Sequence, residues 1–320
     1  MKKIRNLTLL LSSLSLAACN STEPEMVTQM AATPPMTAPT PPEAEPESIA
    51  RLFENANAVS YATSGFTIEN DRGGDAMLTG SKNVTVEAIN DETTGETQVM
   101  LTAFGQTVTF SEADLTTPTR FSKELPTTGA IATRVTLDSL DGDWSDVQDG
   151  NTDFKYLVRF RADVSDANNN SFNQFYGALG DVTPDMPTGS NATYTGSATG
   201  TLLSDKTVPG QEMTADFSLN VDLRNANIGG SVTNITFDGT AEPTEFEIKN
   251  VPITNSTFKS TLEIDPTSCG NDCVTLSKSN VDGSFFGDDA QEVGGSLEFE
   301  GSDSDGGEFI AIGAFGATKQ

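Results

Sequence analysis

The sequence has no histidine and few basic residues, and both shortages exclude classes of function. Without an imidazole it has no Ser-His-Asp or Cys-His nucleophile, no histidine-ligated zinc and no histidine ligand for haem. It holds 18 Lys and Arg against 46 Asp and Glu, a formal charge of −28, which disfavours nucleic acid as a partner. The lack of histidine therefore removes most common enzyme chemistry, and no cofactor is predicted. The acidity suits a saline or exposed environment, or steering toward a basic partner.

Long apolar runs are also scarce, and the clearest one lies at the start of the chain. "MKKIRNLTLLLSSLSLAAC" has three basic residues, an apolar run over 7–16 and small residues before Cys19. This order predicts a secretory signal peptide over 1–18, because the run is too short for a transmembrane helix. Its end, "LAAC", resembles the bacterial lipobox, which implies a lipoprotein cleaved before a lipidated Cys19. The alternative is an ordinary signal peptide with a chance cysteine.

Residues 19–48 are predicted to form a lipidated, proline-rich tether. Seven prolines and almost no large apolar side chains predict an extended segment that cannot bury a core. Asn20 and Ser21 follow the cysteine in place of the aspartate that retains lipoproteins at the inner membrane. The resemblance therefore implies a lipid anchor in the outer membrane of a Gram-negative bacterium.

Downstream of residue 190 the apolar residues alternate with polar ones, as in half-buried strands. "NATYTGSATGTLL" and "MTADFSLNVDLR" are the clearest cases, with Tyr194 and Phe217 on their inward faces. Together with weaker runs they predict eight strands, over 191–203, 213–224, 232–239, 245–251, 257–265, 274–286, 293–300 and 308–315. Eight antiparallel strands with short connections predict an all-β fold with a C-terminal up-and-down barrel, and a sandwich is the main alternative.

The predicted barrel is expected to be filled by its own side chains. Small residues face inward on the first strand and large ones on the second, an arrangement that suits close interdigitation. A lipocalin-like carrier is disfavoured, because the lumen would be occupied by Phe217, Leu219, Leu223, Phe258, Leu262, Leu297 and Phe299.

Two motifs resemble the C-terminal barrel of transferrin-binding-protein-B-like (Slam-type) surface lipoproteins. The first is a glycine-proline lead into an "A-x-Y-x-G" strand, and the second is "G-x-F-[YF]-G-x-x-A-x-E-x-G-G" followed by a final "FG" strand. The matching residues are Met186, Pro187, Gly189, Ala192, Tyr194, Gly196, Gly283, Phe285, Phe286, Gly287, Ala290, Glu292, Gly294, Gly295, Phe315 and Gly316. The stretch 281–299 is read as a hairpin between strands six and seven, with Asp288 and Asp289 at its turn.

The resemblance implies a surface-exposed, ligand-binding lipoprotein that is not an enzyme. Such proteins bind a host or environmental ligand, such as a protein, haem or another nutrient carrier, through loops of a handle domain and the barrel. We expect a β-rich handle over 49–180 and the barrel over 181–320, one of each rather than two such lobes. The alternative is a structural or accessory envelope lipoprotein without a dedicated ligand. Without histidine, haem would need Tyr61, Tyr156 or Tyr176 as its ligand.

Two smaller motifs suggest local chemistry. Cys269 and Cys273 stand four apart in an exported chain, which favours a disulfide in the loop between strands five and six over two free thiols. "DGDWSDVQDGNTD" offers Asp141, Asp143 and Asp149 as weak calcium ligands. It lacks the glycine and glutamate of an EF-hand, so a solvated acidic loop is favoured and no metal site is predicted.

Overall fold

A computed structural model describes nine segments of the chain, residues 59–70, 76–90, 97–125, 133–145, 152–166, 171–189, 191–205, 210–269 and 273–320. The expected signal peptide, Cys19 and the tether lie outside these residues. No helix within the described segments is long and apolar enough to cross a membrane.

The first half of the described chain forms one antiparallel sheet, here called the handle. Its spatial order is β4-β3-β2-β1-β9-β8-β7-β6-β5, so β1 pairs with both β2 and β9. The strands are β1 (Val59–Asn70), β2 (Met77–Asn90), β3 (Thr97–Ala103), β4 (Gln106–Phe110), β5 (Leu115–Thr117), β6 (Arg120–Leu125), β7 (Thr133–Ser139), β8 (Leu157–Asp166) and β9 (Ser171–Gly180). A single 3-10 turn, Glu112–Asp114, connects β4 to β5.

One part of the handle differs from the sequence-based expectation. The run 83–110 reads as one strand, a turn near Gly95 and a second strand, but it contains three strands. Phe104 and Gly105 both have positive φ and form a tight turn that splits the expected second strand into β3 and β4. Phe104 does not look like a turn residue, since few residues other than Gly, Asn and Asp adopt positive φ.

The second half forms the predicted eight-stranded antiparallel barrel. Its first strand, β10, pairs with the second, β11, and with the last, β19. The strands are β10 (Ala192–Ser204), β11 (Gln211–Asp222), β12 (Asn227–Phe237), the two-residue β13 (Thr240–Ala241), β14 (Phe246–Pro252), β15 (Thr257–Ser260), β16 (Leu262–Ile264), β17 (Thr275–Phe286), β18 (Glu292–Ser302) and β19 (Glu308–Lys319), with a helical turn, α1 (Pro266–Cys269), before β17.

The fifth barrel strand closes the ring by changing partner in its middle. β15 pairs with β17, and β16 pairs with β14 on the other side. Between them the carbonyl of Thr261 accepts a hydrogen bond from the amide of Lys249, 3.2 Å away. β15 and β16 are therefore the two halves of the single strand predicted over 257–265.

The barrel interior is packed with the alternating side chains that the sequence placed inward. Tyr194, Phe217 and Phe285 are at most 1% exposed, and the rings of Phe217 and Phe315 stack with centroids 4.1 Å apart. The predicted hairpin is present, with Asp288 and Asp289 exposed at the turn between β17 and β18.

The outer face of the barrel is also buried where the handle covers it. Ile310, Ile312 and Ala314 point away from the lumen, yet each is 0% exposed because they pack with Ile68 and Tyr176 of the handle. This contact explains why "FIAIGAFGA" in β19 is a nearly continuous apolar run rather than an alternating one. The fold is therefore all-β, as predicted, with the handle packed on β18 and β19. The exact domain boundaries, 49–180 and 181–320, stay predictions.

Candidate ligand-binding surface

A buried carboxylate fastens the handle to the barrel. Glu292, in β18, is 4% exposed and accepts hydrogen bonds from the backbone amides of Lys155, Tyr156 and Leu157 at 2.6, 2.9 and 3.1 Å. Burial raises the pKa of Glu292, while these three bonds oppose the rise. The glutamate of the family motif thus has a structural role at the junction.

Two motif glycines leave room for the same contact. A Cβ at Gly294 would lie 2.9 Å from Cδ2 of Leu157, and one at Gly316 would lie 2.7 Å from Cζ of Phe154. A side chain at either position would require Leu157 or Phe154 of the handle to move. The glycines therefore maintain the close approach of the two sheets.

Asp141 is the partner of a buried arginine in this structure. Its Oδ2 accepts the backbone amide of Arg159 at 2.5 Å, and its Oδ1 accepts Nε of the same residue at 2.7 Å. Arg159 also donates to the backbone carbonyl of Ser197 in the barrel, at 3.0 Å. Asp149 lies outside the described residues, so the weak calcium site stays an untested prediction. Asp141, the first of its candidate ligands, is bound to Arg159 in this structure.

The two described tyrosines considered for haem are both buried at the junction. Tyr176 is 2% exposed, its hydroxyl lies 2.7 Å from Oγ1 of Thr201, and burial raises its pKa. Tyr156 is 6% exposed. The side chain of Tyr61 lies outside the described residues. Neither Tyr156 nor Tyr176 presents a phenolate to a ligand in this structure.

One end of the barrel is closed by its own side chains. The hydroxyl of Tyr194 donates to the carbonyl of Ala290, 2.6 Å away, across the base of the β17–β18 hairpin. Burial raises the pKa of Tyr194 to about 12. The ring of Phe285 contacts Tyr194 edge-on, with centroids 5.6 Å apart. We call this end the closed end; a groove of about 470 Å³ borders its other side, lined by residues that include Asn191, Asn220 and Glu247.

The opposite end of the barrel opens into a cavity of about 380 Å³, here called the mouth. Phe246, Phe299 and Phe309 line it and belong to the barrel core, so its floor is aromatic. Asp205 and Glu242 line its edge, together with Asp303 and Glu308. A cavity of this size falls within the usual range of small-ligand sites, about 300–1,000 Å³.

The four loops around the mouth are strongly acidic. In sequence, segments 205–210, 238–245, 265–274 and 303–307 together hold eight Asp or Glu and one basic residue; the structure describes seven of these acids but neither Asp272 nor Lys206. The pKa of Asp265 is lowered by hydrogen bonds from the side chain and backbone of Thr267, which keeps this carboxylate charged. The mouth is thus an anionic rim over an aromatic floor.

The predicted disulfide lies in one of these loops. Cys269, the last residue of α1, is bonded to Cys273, which precedes β17, and their Cα atoms are 4.9 Å apart. The bond constrains the loop between strands five and six, where the sequence placed it.

A polar groove between handle and barrel runs next to the mouth. It encloses about 700 Å³ and is bordered by Thr201, Leu203 and Gly210 of the barrel. Three of the eight arginines of the chain line it, and each faces a carboxylate of the handle: Arg120 with Asp138, Arg161 with Asp138 and Asp163, and Arg134 with Glu124. The groove is therefore close to neutral, in contrast to the mouth.

Sequence reasoning named no binding residue, yet the mouth has a sequence signal. Alternate loops of an up-and-down barrel meet at the same end, so counting charges over alternate loops groups the eight acids. The aromatic floor has no comparable signal, because Phe246, Phe299 and Phe309 look like other inward residues of their strands.

Comparisons with known proteins support the barrel. Residues 186–319 match the family model described as the C-lobe and N-lobe beta barrels of Tf-binding protein B. No curated protein matches the chain in sequence.

Several solved structures are similar over most of the chain. Intact Ap-TbpB, with N and C lobes, is 17% identical over 77% of this chain and 48% of its own, with a TM-score of 0.40. Transferrin-binding protein B from Neisseria meningitidis is 18% identical over 78% of this chain and 56% of its own, with a TM-score of 0.37. A double mutant of transferrin-binding protein B from Haemophilus parasuis is 14% identical over 80% of this chain and 61% of its own, with a TM-score of 0.40.

The chain thus spans about half the length of the first of these proteins. The family match covers the residues that form the barrel, and the two motifs quoted above fall within it or at its edges. The C-terminal barrel of this chain therefore matches the barrels of transferrin-binding protein B, and the chain is transferrin-binding-protein-B-like in that region.

Proposed function

We propose that this chain is an outer-membrane surface lipoprotein that binds an extracellular protein ligand. One observation carries the proposal: a barrel that matches the family model packs against a handle sheet and has an open mouth at one end. Glu292 and Arg159 hold the two parts together. The matched relatives are named for binding transferrin, a protein. For this chain the identity of the ligand is left to experiment.

The anchor and the position at the cell surface are supported by the sequence. Residues 1–18 have the order of a secretory signal peptide, and "LAAC" before Cys19 resembles a lipobox. Two or more acyl chains hold a protein stably on a membrane, whereas one chain holds it weakly. The proline-rich segment up to residue 48 would then extend the folded part away from the lipid.

The mouth and its neighbouring groove form the proposed ligand-binding surface. The mouth is lined by Ser204 and Asp205 and the groove by the adjacent Leu203, so a single protein surface would contact both. The closed end, by contrast, has its polar groups satisfied internally by the Tyr194–Ala290 bond.

Whole-cell experiments test the proposal in two steps. Protease added to intact cells should cleave the chain, and Cys19→Ser should release it from the outer-membrane fraction. The full chain should then capture a protein from the extracellular medium of its native environment at micromolar concentration or below. A chain that survives protease on intact cells and captures nothing would instead be a periplasmic accessory lipoprotein.

A further inference from the structure

We propose that the mouth binds an arginine or lysine side chain presented by a basic segment of the protein ligand. This inference rests on the proposed function and adds to it the site and the chemistry that is recognised. The evidence is the composition of the cavity: carboxylates at its edge and phenylalanine rings below them.

The rim favours a cation. Asp205 is exposed and Glu242 is half-buried, and neither side chain has a hydrogen bond to another described residue. No Lys or Arg within the described segments lines the cavity. The field of a chain with a formal charge of −28 adds a long-range attraction for basic partners.

The floor favours an organic cation over a metal ion. Phe246, Phe299 and Phe309 are 3%, 3% and 9% exposed, and the rings of Phe299 and Phe309 meet edge-to-face with centroids 6.1 Å apart. Aromatic faces attract guanidinium and ammonium groups and also pack against their methylene stems. Within the described segments no three Asp, Glu or Cys residues are placed to hold a metal ion.

The volume fits one or two long side chains. About 380 Å³ is at the lower end of small-ligand sites, and the cavity opens at the end of the barrel, where a partner surface can reach it. A charged side chain placed there would pair with the rim while its stem covers the phenylalanines. This is the arrangement that makes arginine a common anchor residue in protein interfaces.

The test uses the full chain and a fluorescent octapeptide of alternating glycine and arginine, with a citrulline peptide as its neutral counterpart. Anisotropy titration should show binding of the arginine peptide at least tenfold tighter than that of the citrulline peptide. The double variant Asp205→Asn/Glu242→Gln should weaken arginine-peptide binding by about tenfold, since each exposed charge pair contributes up to about fivefold. Phe309→Leu should weaken it by about two- to fivefold by removing a cation–π contact.

The matched control removes two charges from the closed end. Asp288→Asn/Asp289→Asn changes the net charge equally but should alter peptide binding by less than twofold. Equal losses in both double variants, or none in the mouth variant, would overturn the proposal. Binding of free spermidine at the mouth more tightly than the peptide would also overturn it, because the site would then serve a small polyamine.

Failure of this inference is distinguishable from failure of the proposed function. If the full chain captures a protein and Asp205→Asn/Glu242→Gln captures it equally well, the mouth is not the site but the ligand-binding function stands. If the unaltered chain captures nothing, the proposed function fails whatever the peptide does.

Discussion

The two ends of the barrel are built from the same eight strands but differ in what their side chains do. At the closed end Tyr194, Phe285 and Ala290 form a packed and hydrogen-bonded plug. At the mouth the phenylalanines border a cavity, and the loops above them carry eight acidic residues and one basic residue. The difference indicates that the closed end contributes stability, whereas the mouth leaves apolar and charged groups available for binding.

The handle strengthens this contrast. Its contact with the barrel includes Glu292, two residues after Ala290 of the closed end, where three backbone amides bind one carboxylate. Near the mouth the handle instead borders an open groove. The Tyr194–Ala290 bond and the contact of Glu292 with the handle therefore both lie toward the closed end of the barrel.

Truncating a phenylalanine at each end should give the largest contrast. Phe285→Ala removes a ring that is 0% exposed and leaves a void, so we expect a loss of about 3–5 kcal/mol in the free energy of unfolding. Phe309 borders an existing cavity, so Phe309→Ala should lower the free energy of unfolding only by the lost burial, about 2–3 kcal/mol. Urea denaturation of both variants measures the difference. Equal losses would mean that the mouth is as tightly packed as the closed end.

Replacing Glu292 should destabilise the chain by about 2 kcal/mol. Glu292→Gln loses the charge-assisted hydrogen bonds that the amides of Tyr156 and Leu157 donate to the carboxylate. It also places the side-chain NH₂ group, itself a donor, against these amides. Glu242→Gln, at the mouth, should change the free energy of unfolding by less than about 0.5 kcal/mol. A cost for Glu242→Gln that matches that of Glu292→Gln would remove the distinction between a structural and an available carboxylate.

The pH dependence of the Glu292 effect has a definite sign. Its pKa is raised in the folded state above the ordinary value of 4.5, so the folded state binds a proton more tightly than the unfolded state. The stability of the unaltered chain relative to Glu292→Gln should therefore increase as the pH falls from 7 through the folded pKa, and level off below about 4.5. An advantage that shrinks with acidification would contradict the assignment.

Removing one hydroxyl at the closed end should have a smaller effect than replacing Glu292. Tyr194→Phe leaves the ring in place but deprives the carbonyl of Ala290 of its donor, at a cost of about 1 kcal/mol. The pKa of Tyr194 is raised from 10.0 to about 12, so its contribution is complete below pH 10 and is lost as the pH rises through about 12. Absorbance titration at alkaline pH should show one fewer late-ionising phenol in Tyr194→Phe than in the unaltered chain, where the pKa of Tyr176 is also raised.

Much of the barrel was predictable from the sequence because its strands have one buried face. The alternation around Tyr194 and Phe217 identified strands and inward residues alike, and the Cys269–Cys273 spacing identified the disulfide. β12 was predicted to begin at 232 but begins at Asn227, since Gly229 and Gly230 interrupt the apolar pattern.

The handle and the ligand-binding surface were harder to predict, because they depend on contacts between distant segments. Nothing near Glu292 in sequence indicates that Lys155 and Tyr156 donate to it, since 137 and 136 residues separate them. Ile310 and Ile312 carried a usable signal, since outward apolar residues on a barrel strand imply a cover.

Hydrogen exchange of the full chain, with and without a saturating concentration of the glycine–arginine peptide, tests the account most directly. We expect slower exchange in peptic fragments that cover 238–245 and 303–307 at the mouth, and unchanged exchange in those that cover 223–226 and 287–291 at the closed end. Protection confined to the closed end, or bound peptide that leaves the mouth fragments unchanged, would contradict it.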